Sequence, residues 1–224
     1  MPTRPSSLLE PRKTPVQRRS TATVVSIFEA TIQVLLAHGH ARLTTTKVAE
    51  RAGVSVGTLY QYFPNKSALL AAVLERFLDA IVTEVEQACR AQRGRTVREI
   101  VTAMCRAFIE AKTRRLDVSL ALYQPAAELG CDALVRAATQ RSQRVLIEVL
   151  GSASDRSFAD LTLPAMVLTT ATVGPVQAAM EAGADPALMK ALQAQLVELS
   201  VGYLERISTP WPINPICQPS TAAL

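Results

Sequence analysis

Apolar residues recur at intervals of three and four along most of the chain. Val24, Ile27, Phe28, Thr31 and Leu35 form one such stripe; Leu69, Val73, Leu74, Phe77, Leu78, Ile81 and Val85 form another. This is the period of an amphipathic helix, and no stretch sustains the period-two alternation of a half-buried strand. Gly39, Gly53, Gly94, Gly130, Gly151 and Gly183 punctuate the pattern as helix stops, and Pro64, Pro186 and Pro164 as starts or kinks. The spacing predicts nine helices, near residues 17–38, 45–52, 55–62, 65–92, 95–113, 116–129, 132–150, 156–182 and 186–208. The fold class is all-α, with no internal repeat.

Two of these helices, in the stretch TTTKVAERAGVSVGTLYQYFPNKSALL (Thr44 to Leu70), are too short to be stable alone and must be held by their neighbours. Thr44 or Thr45 supplies a hydroxyl cap for the first, whose inward positions are Val48, Ala49 and Ala52. Gly53 permits a tight turn, Val54 anchors it, Ser55 caps the second helix, and Leu59 and Phe63 point inward at i, i+4. Two short helices around a glycine turn make a helix-turn-helix, whose second helix is free to enter a DNA major groove. Its outward residues Val56, Gly57, Thr58, Tyr60 and Tyr62 carry no charge and include a glycine that weakens a helix by roughly 1 kcal/mol relative to alanine. Close approach to DNA accounts for Gly57, base edges and thymine methyls for Val56 and Thr58, and phosphates for the tyrosine hydroxyls. Packing of Tyr60 and Tyr62 on neighbouring helices is the competing account. Lys66 falls in the first turn of the next helix, where the dipole disfavours a cation, so a bound phosphate would satisfy both; a merely solvated lysine is the alternative.

Charge strengthens the reading of this region. Residues 1–66 carry nine Lys/Arg against three acids, while the other 158 carry 15 against 16, so the net charge of +5 is confined to the front. A polyanionic partner follows, either nucleic acid or an anionic membrane surface.

The string AGVSVGTLYQYFPNKSALL, Ala52 to Leu70, preceded by ATIQVLLAHGHARL, closely resembles the DNA-binding domain of the TetR/AcrR family of bacterial transcriptional regulators over residues 21–81. The resemblance implies a homodimer whose reading helices enter successive major grooves of a palindromic operator. It carries over Thr45, Thr46, Ser55, Val56, Gly57, Thr58, Tyr60, Tyr62 and Lys66 as DNA-contacting positions. It also implies that residues 82–208 form an effector-binding and dimerisation bundle, dimerising through the helices near 156–182 and 186–208.

Residues 1–20, with Pro2, Pro5, Pro11 and Pro15, are expected to be a disordered basic arm, and 209–224 a disordered Pro-rich tail. Arg12 to Arg19 are candidates for DNA backbone or minor-groove contact. Met104, Phe108, Tyr123, Met166 and Thr170 are candidate linings of an effector pocket, since methionine and aromatic side chains adapt to varied ligands; the apolar interior suggests an apolar or weakly polar effector. Leu161 to Met180 has no charge, but its threonines, glutamine and prolines favour a buried helix over a membrane span. Cys89, Cys105, Cys131 and Cys217 lack metal or disulfide spacing and read as reduced cysteines of a cytoplasmic protein. His38 and His40 flank Gly39 and read as a solvated turn, too few for a metal site. No nucleophile motif, phosphate loop or dinucleotide fingerprint is visible, so neither an enzyme nor a cofactor is expected. The rival reading is a sequence-nonspecific nucleoid or membrane-surface protein acting through the basic arm.

Overall fold

The computed structural model describes residues 18–211 apart from Ala184. The basic arm up to residue 17, the tail from residue 212 and Cys217 lie outside the described residues. Nine helices account for most of the described residues: α1 (Arg18–Arg42), α2 (Thr45–Ala52), α3 (Val56–Tyr62), α4 (Lys66–Arg90), α5 (Val97–Thr113), α6 (Leu116–Glu128), α7 (Asp132–Leu150), α8 (Thr162–Glu181) and α9 (Pro186–Ile207). The all-α class is as expected, and the short helices begin and end within a residue of their predicted bounds.

Three differences have local causes. First, α1 does not stop at 38: the chain kinks at Gly39 (φ 72°, ψ 168°) and runs on to Arg42. Second, α8 starts at Thr162 and not near 156. Residues 152–157 instead brace the start of α5, with Ser154 N–H donating to the Arg95 carbonyl (3.0 Å) and Val97 N–H to Asp155 Oδ1 (2.9 Å). Third, Arg156–Ser157 (β1) pairs antiparallel with Thr209–Pro210 (β2), so the first residues assigned to the tail are structured. A two-residue pair has no periodicity to detect.

Buried side chains fall into two clusters. One gathers Ile27, Leu35, Leu43, Val48, Leu59, Phe63, Leu69 and Leu70 from α1–α4, with Val118 and Leu122 of α6 and Cys131. The other fills the bundle with Val85, Ile100, Met104, Cys105, Leu146, Leu150, Leu168, Met180, Leu196 and Leu204. The helix α4 belongs to both, so the boundary expected near 81/82 falls inside a continuous helix. Helix α6, assigned to the rear domain, packs on the front one as well. The charged edge of α4 is clamped to α7 by Arg141, which donates to both oxygens of the buried Glu86 (2.8 and 2.7 Å), to Thr83 Oγ1 (3.1 Å) and to Asp79. Both Ser20–Arg42 and Thr162–Glu181 are long and apolar enough to cross a membrane by composition. Each has buried core residues, Ile27 and Val34 in one and Ala165, Leu168 and Val176 in the other.

Candidate functional site

The turn between α2 and α3 is built by local hydrogen bonding. Thr44 caps α2, its hydroxyl accepting from Lys47 N–H (3.3 Å). Gly53 takes the left-handed conformation (φ 68°, ψ 31°), which lets Gly53 N–H and Val54 N–H reach back to the carbonyls of Glu50 and Ala49. The Ser55 hydroxyl accepts from Thr58 N–H (2.9 Å) and pairs with Thr58 Oγ1 (2.8 Å), so α3 begins one residue later than the sequence suggested. Leu59 and Phe63 bury fully and pin α3 to the body, with the Phe63 ring 5.6 Å from that of Phe28.

The predicted site residues divide into three groups. Thr46, Ser55, Gly57 and Tyr60 are exposed, and Thr45 and Thr58 half-exposed. Tyr60 spans the two helices, its hydroxyl 3.1 Å from Thr45 Oγ1. Val56 and Tyr62 lie partly against the core cluster, with the Tyr62 ring 6.4 Å from Phe63, so the packing account describes part of the Tyr62 side chain. Lys66 corrects the sequence argument: its ammonium donates to the His40 carbonyl at 2.7 Å. The cation that is misplaced at the start of α4 is well placed at the end of α1, whose carbonyls form the negative pole of that helix. Lys47 does the same for the Arg42 carbonyl (3.1 Å). Sequence reasoning missed both contacts because they join elements remote in the chain.

The His38-Gly39-His40 turn is only half solvated. His38 is exposed, but the His40 side chain is 16% exposed and its Nδ1 lies 2.8 Å from Glu128 Oε2 at the end of α6. This contact joins the front helices to a helix that also reaches the interior of the bundle.

That interior holds a cavity of about 340 Å³ between α4, α5, α6, α7 and α8. Met104, Phe108 and Tyr123 line it, as expected. Met166 and Thr170 do not: both are exposed on α8, whose inward stripe is Ala165, Leu168, Thr169, Thr172 and Val176. The error is one residue of helical phase, in a segment so uniformly apolar that the sequence gives no contrast between its faces. The pKa values of the cavity's Cys89 thiol and Tyr123 hydroxyl are both pushed up to about 12, mainly by burial. Lys112 was not expected there. It is 7% exposed, donates to the Tyr123 hydroxyl (3.1 Å), and lies 4.8 Å from the Tyr123 ring centre and 5.7 Å from that of Phe77. Burial lowers its pKa from 10.5 to about 8. A signal for it existed: residues 104, 108 and 112 recur at i+4, so Lys112 continues the inward stripe of α5.

On the outer side of the bundle, Leu163, Met166 and Val167 of α8 and Leu188 and Leu199 of α9 are exposed, Leu163 by 61% and Leu199 by 59%.

Comparison with known proteins agrees with this architecture. Residues 27–73 match the family described as bacterial regulatory proteins, tetR family, and residues 96–204 match the tetracyclin repressor-like C-terminal domain. The HTH-type transcriptional repressor KstR of Mycolicibacterium smegmatis is 40% identical over 65 residues, 29% of this chain and 32% of KstR. The HTH-type transcriptional activator FasR of the same organism is 41% identical over 61 residues, 27% of this chain and 28% of FasR. The chain thus spans about a third of the length of the curated relatives it matches. The structure of SmeT, the repressor of the Stenotrophomonas maltophilia multidrug efflux pump SmeDEF, superimposes with a TM-score of 0.60 at 26% identity, covering 81% of this chain and 91% of SmeT. With its front and rear halves matched in order by the two family domains, the chain belongs to the TetR family of bacterial regulatory proteins.

Proposed function

We propose that the chain is a ligand-responsive transcriptional repressor of the bacterial cytoplasm, which binds a palindromic operator as a homodimer and leaves it when a small molecule enters the bundle cavity. Gly57 carries this reading. It lies in α3, exposed and outside the positive-φ region, and a methyl group there would meet nothing nearer than Ser55 Oγ at 3.7 Å. Among the described residues no contact or backbone conformation requires a glycine at this point, whereas a helix seated in a major groove gains closer approach. Thr45, Thr46, Ser55, Val56, Thr58, Tyr60, Tyr62 and Lys66 surround it as candidates for base and phosphate contact. The exposed apolar stripes of α8 and α9 suit a self-complementary interface with a second copy, a four-helix arrangement.

Helix α6 supplies a route from cavity to DNA. Its Tyr123 and Ala126 face the cavity, its Leu122 is shared with the front core, and Glu128 at its end holds His40. A ligand that displaces α6 acts on α1 and, through Lys47 and Lys66, on the seating of the reading helix. Such a shift requires the ligand to bind the released arrangement more tightly.

Fluorescence anisotropy with DNA from upstream of the protein's own gene tests the reading. Gly57→Ala should fold normally, melting at the same temperature or a few degrees higher, yet lose at least about tenfold in DNA affinity. Wild-type affinity in this variant overturns the assignment of α3. Salt-sensitive binding that survives Gly57→Ala but disappears on removing residues 1–17 places the DNA contact in the arm.

A further inference from the structure

The cavity is long and chemically one-sided. Its lining follows α4 through Leu74, Phe77, Ile81, Val85 and Cys89, and residues 74 and 89 stand about 22 Å apart at the helical rise. Among the described residues two charged ones line it, Lys112 and Asp132, and Asp132 is exposed at the start of α7. Lys112 faces Phe77 and Tyr123, which places its ammonium toward the front end of the cavity, while Met104, Val85, Cys89 and Leu146 line the far end with apolar surface.

The surroundings of Lys112 lack one thing that a buried ammonium ordinarily has. Two aromatic faces and one hydroxyl attend it, and its backbone is fixed by the Ser119 hydroxyl donating to the Lys112 carbonyl at 2.6 Å. Among the described residues no carboxylate forms an ion pair with it. An ammonium has three donors, and buried charges are normally paired.

We propose that Lys112 is the head-group site of the cavity, and that the ligand is an elongated amphipathic monoanion whose carboxylate lies on the Lys112 ammonium beside the Tyr123 hydroxyl and whose apolar body extends along α4 toward Cys89. The sequence suggested an apolar or weakly polar effector. Lys112 adds a requirement for one negative charge at one end, and the volume of about 340 Å³, at the small end of ligand sites, restricts the body to a narrow chain. The inference rests on the rear bundle being the effector-binding half.

Calorimetric titration of the DNA-free protein with decanoate and with 1-decanol at pH 7 tests it. Wild type should bind decanoate at least about tenfold more tightly than decanol, as expected of a charge-assisted contact away from water. Lys112→Met should abolish that preference while retaining decanol, and Lys112→Arg should keep it. Absence of decanoate binding, equal affinity for the alcohol, or an unchanged preference in Lys112→Met overturns the proposal. The wild-type comparison decides even if a variant fails to fold. Decanoate that binds as expected yet leaves operator affinity unchanged upholds the site and counts against the regulatory reading.

Discussion

Replacing Lys112 by methionine isolates the electrostatics of the cavity, because methionine keeps the length of the stem and removes the charge. The folded pKa of about 8 lies below the unfolded value of 10.5, the reverse of a lysine that gains an acid partner. Below pH 8 both states hold the proton and the folded state carries the full penalty of a buried ammonium. Between pH 8 and 10.5 the folded lysine releases its proton while the unfolded chain keeps it, so the unfolded state binds more protons and stability rises with pH. Burial of the charge sets an upper bound of about 3 kcal/mol on the penalty at pH 7. Methionine forfeits the Tyr123 hydrogen bond and the contact with the two aromatic faces, which takes back about half of this difference. Lys112→Met should therefore be more stable than wild type by about 1–2 kcal/mol at pH 7, a rise of roughly 2–8 °C for a chain of this size. Wild type regains about 2 kcal/mol by pH 9.5, closing the gap. Thermal denaturation of both proteins at pH 7 and 9.5, without ligand, measures this. A Met variant less stable at pH 7, or a difference constant across the two pH values, refutes the description of Lys112 as an unpaired buried cation.

The remaining predictions concern other parts of the fold. Arg141→Met strands the Glu86 carboxylate, whose side chain is 8% exposed, and should lower stability by about 2–3 kcal/mol in urea denaturation. Adding Glu86→Gln should recover most of that loss if the pair acts as a unit. Leu163→Glu with Leu199→Glu places charge on both exposed stripes of α8 and α9; light scattering after gel filtration should then report a monomer where wild type is a dimer, with the helical circular dichroism unchanged. If the wild-type protein is a monomer at the same concentration, the dimer reading fails.

The reading region was largely legible in the sequence because its determinants are local. Thr44, Gly53, Ser55 and Asn65 act on backbone groups within three or four residues, and such contacts can be placed by counting. The failures share the opposite character. Lys66 is unfavourable within its own helix, while its partner is a carbonyl 26 residues away. The two locally unfavourable residues of this stretch therefore separate: α1 explains Lys66 from inside the molecule, while no contact among the described residues explains Gly57. Phase was lost in α8, where apolar residues surround the helix and Thr169 and Thr170 are indistinguishable until a neighbour selects one face. Lys112 was legible but unread, since its place in the i+4 series of Met104 and Phe108 marked it as inward while its chemistry suggested solvent. A charged residue on an inward stripe is where local pattern and residue type disagree. In this chain, that disagreement coincides with the cavity.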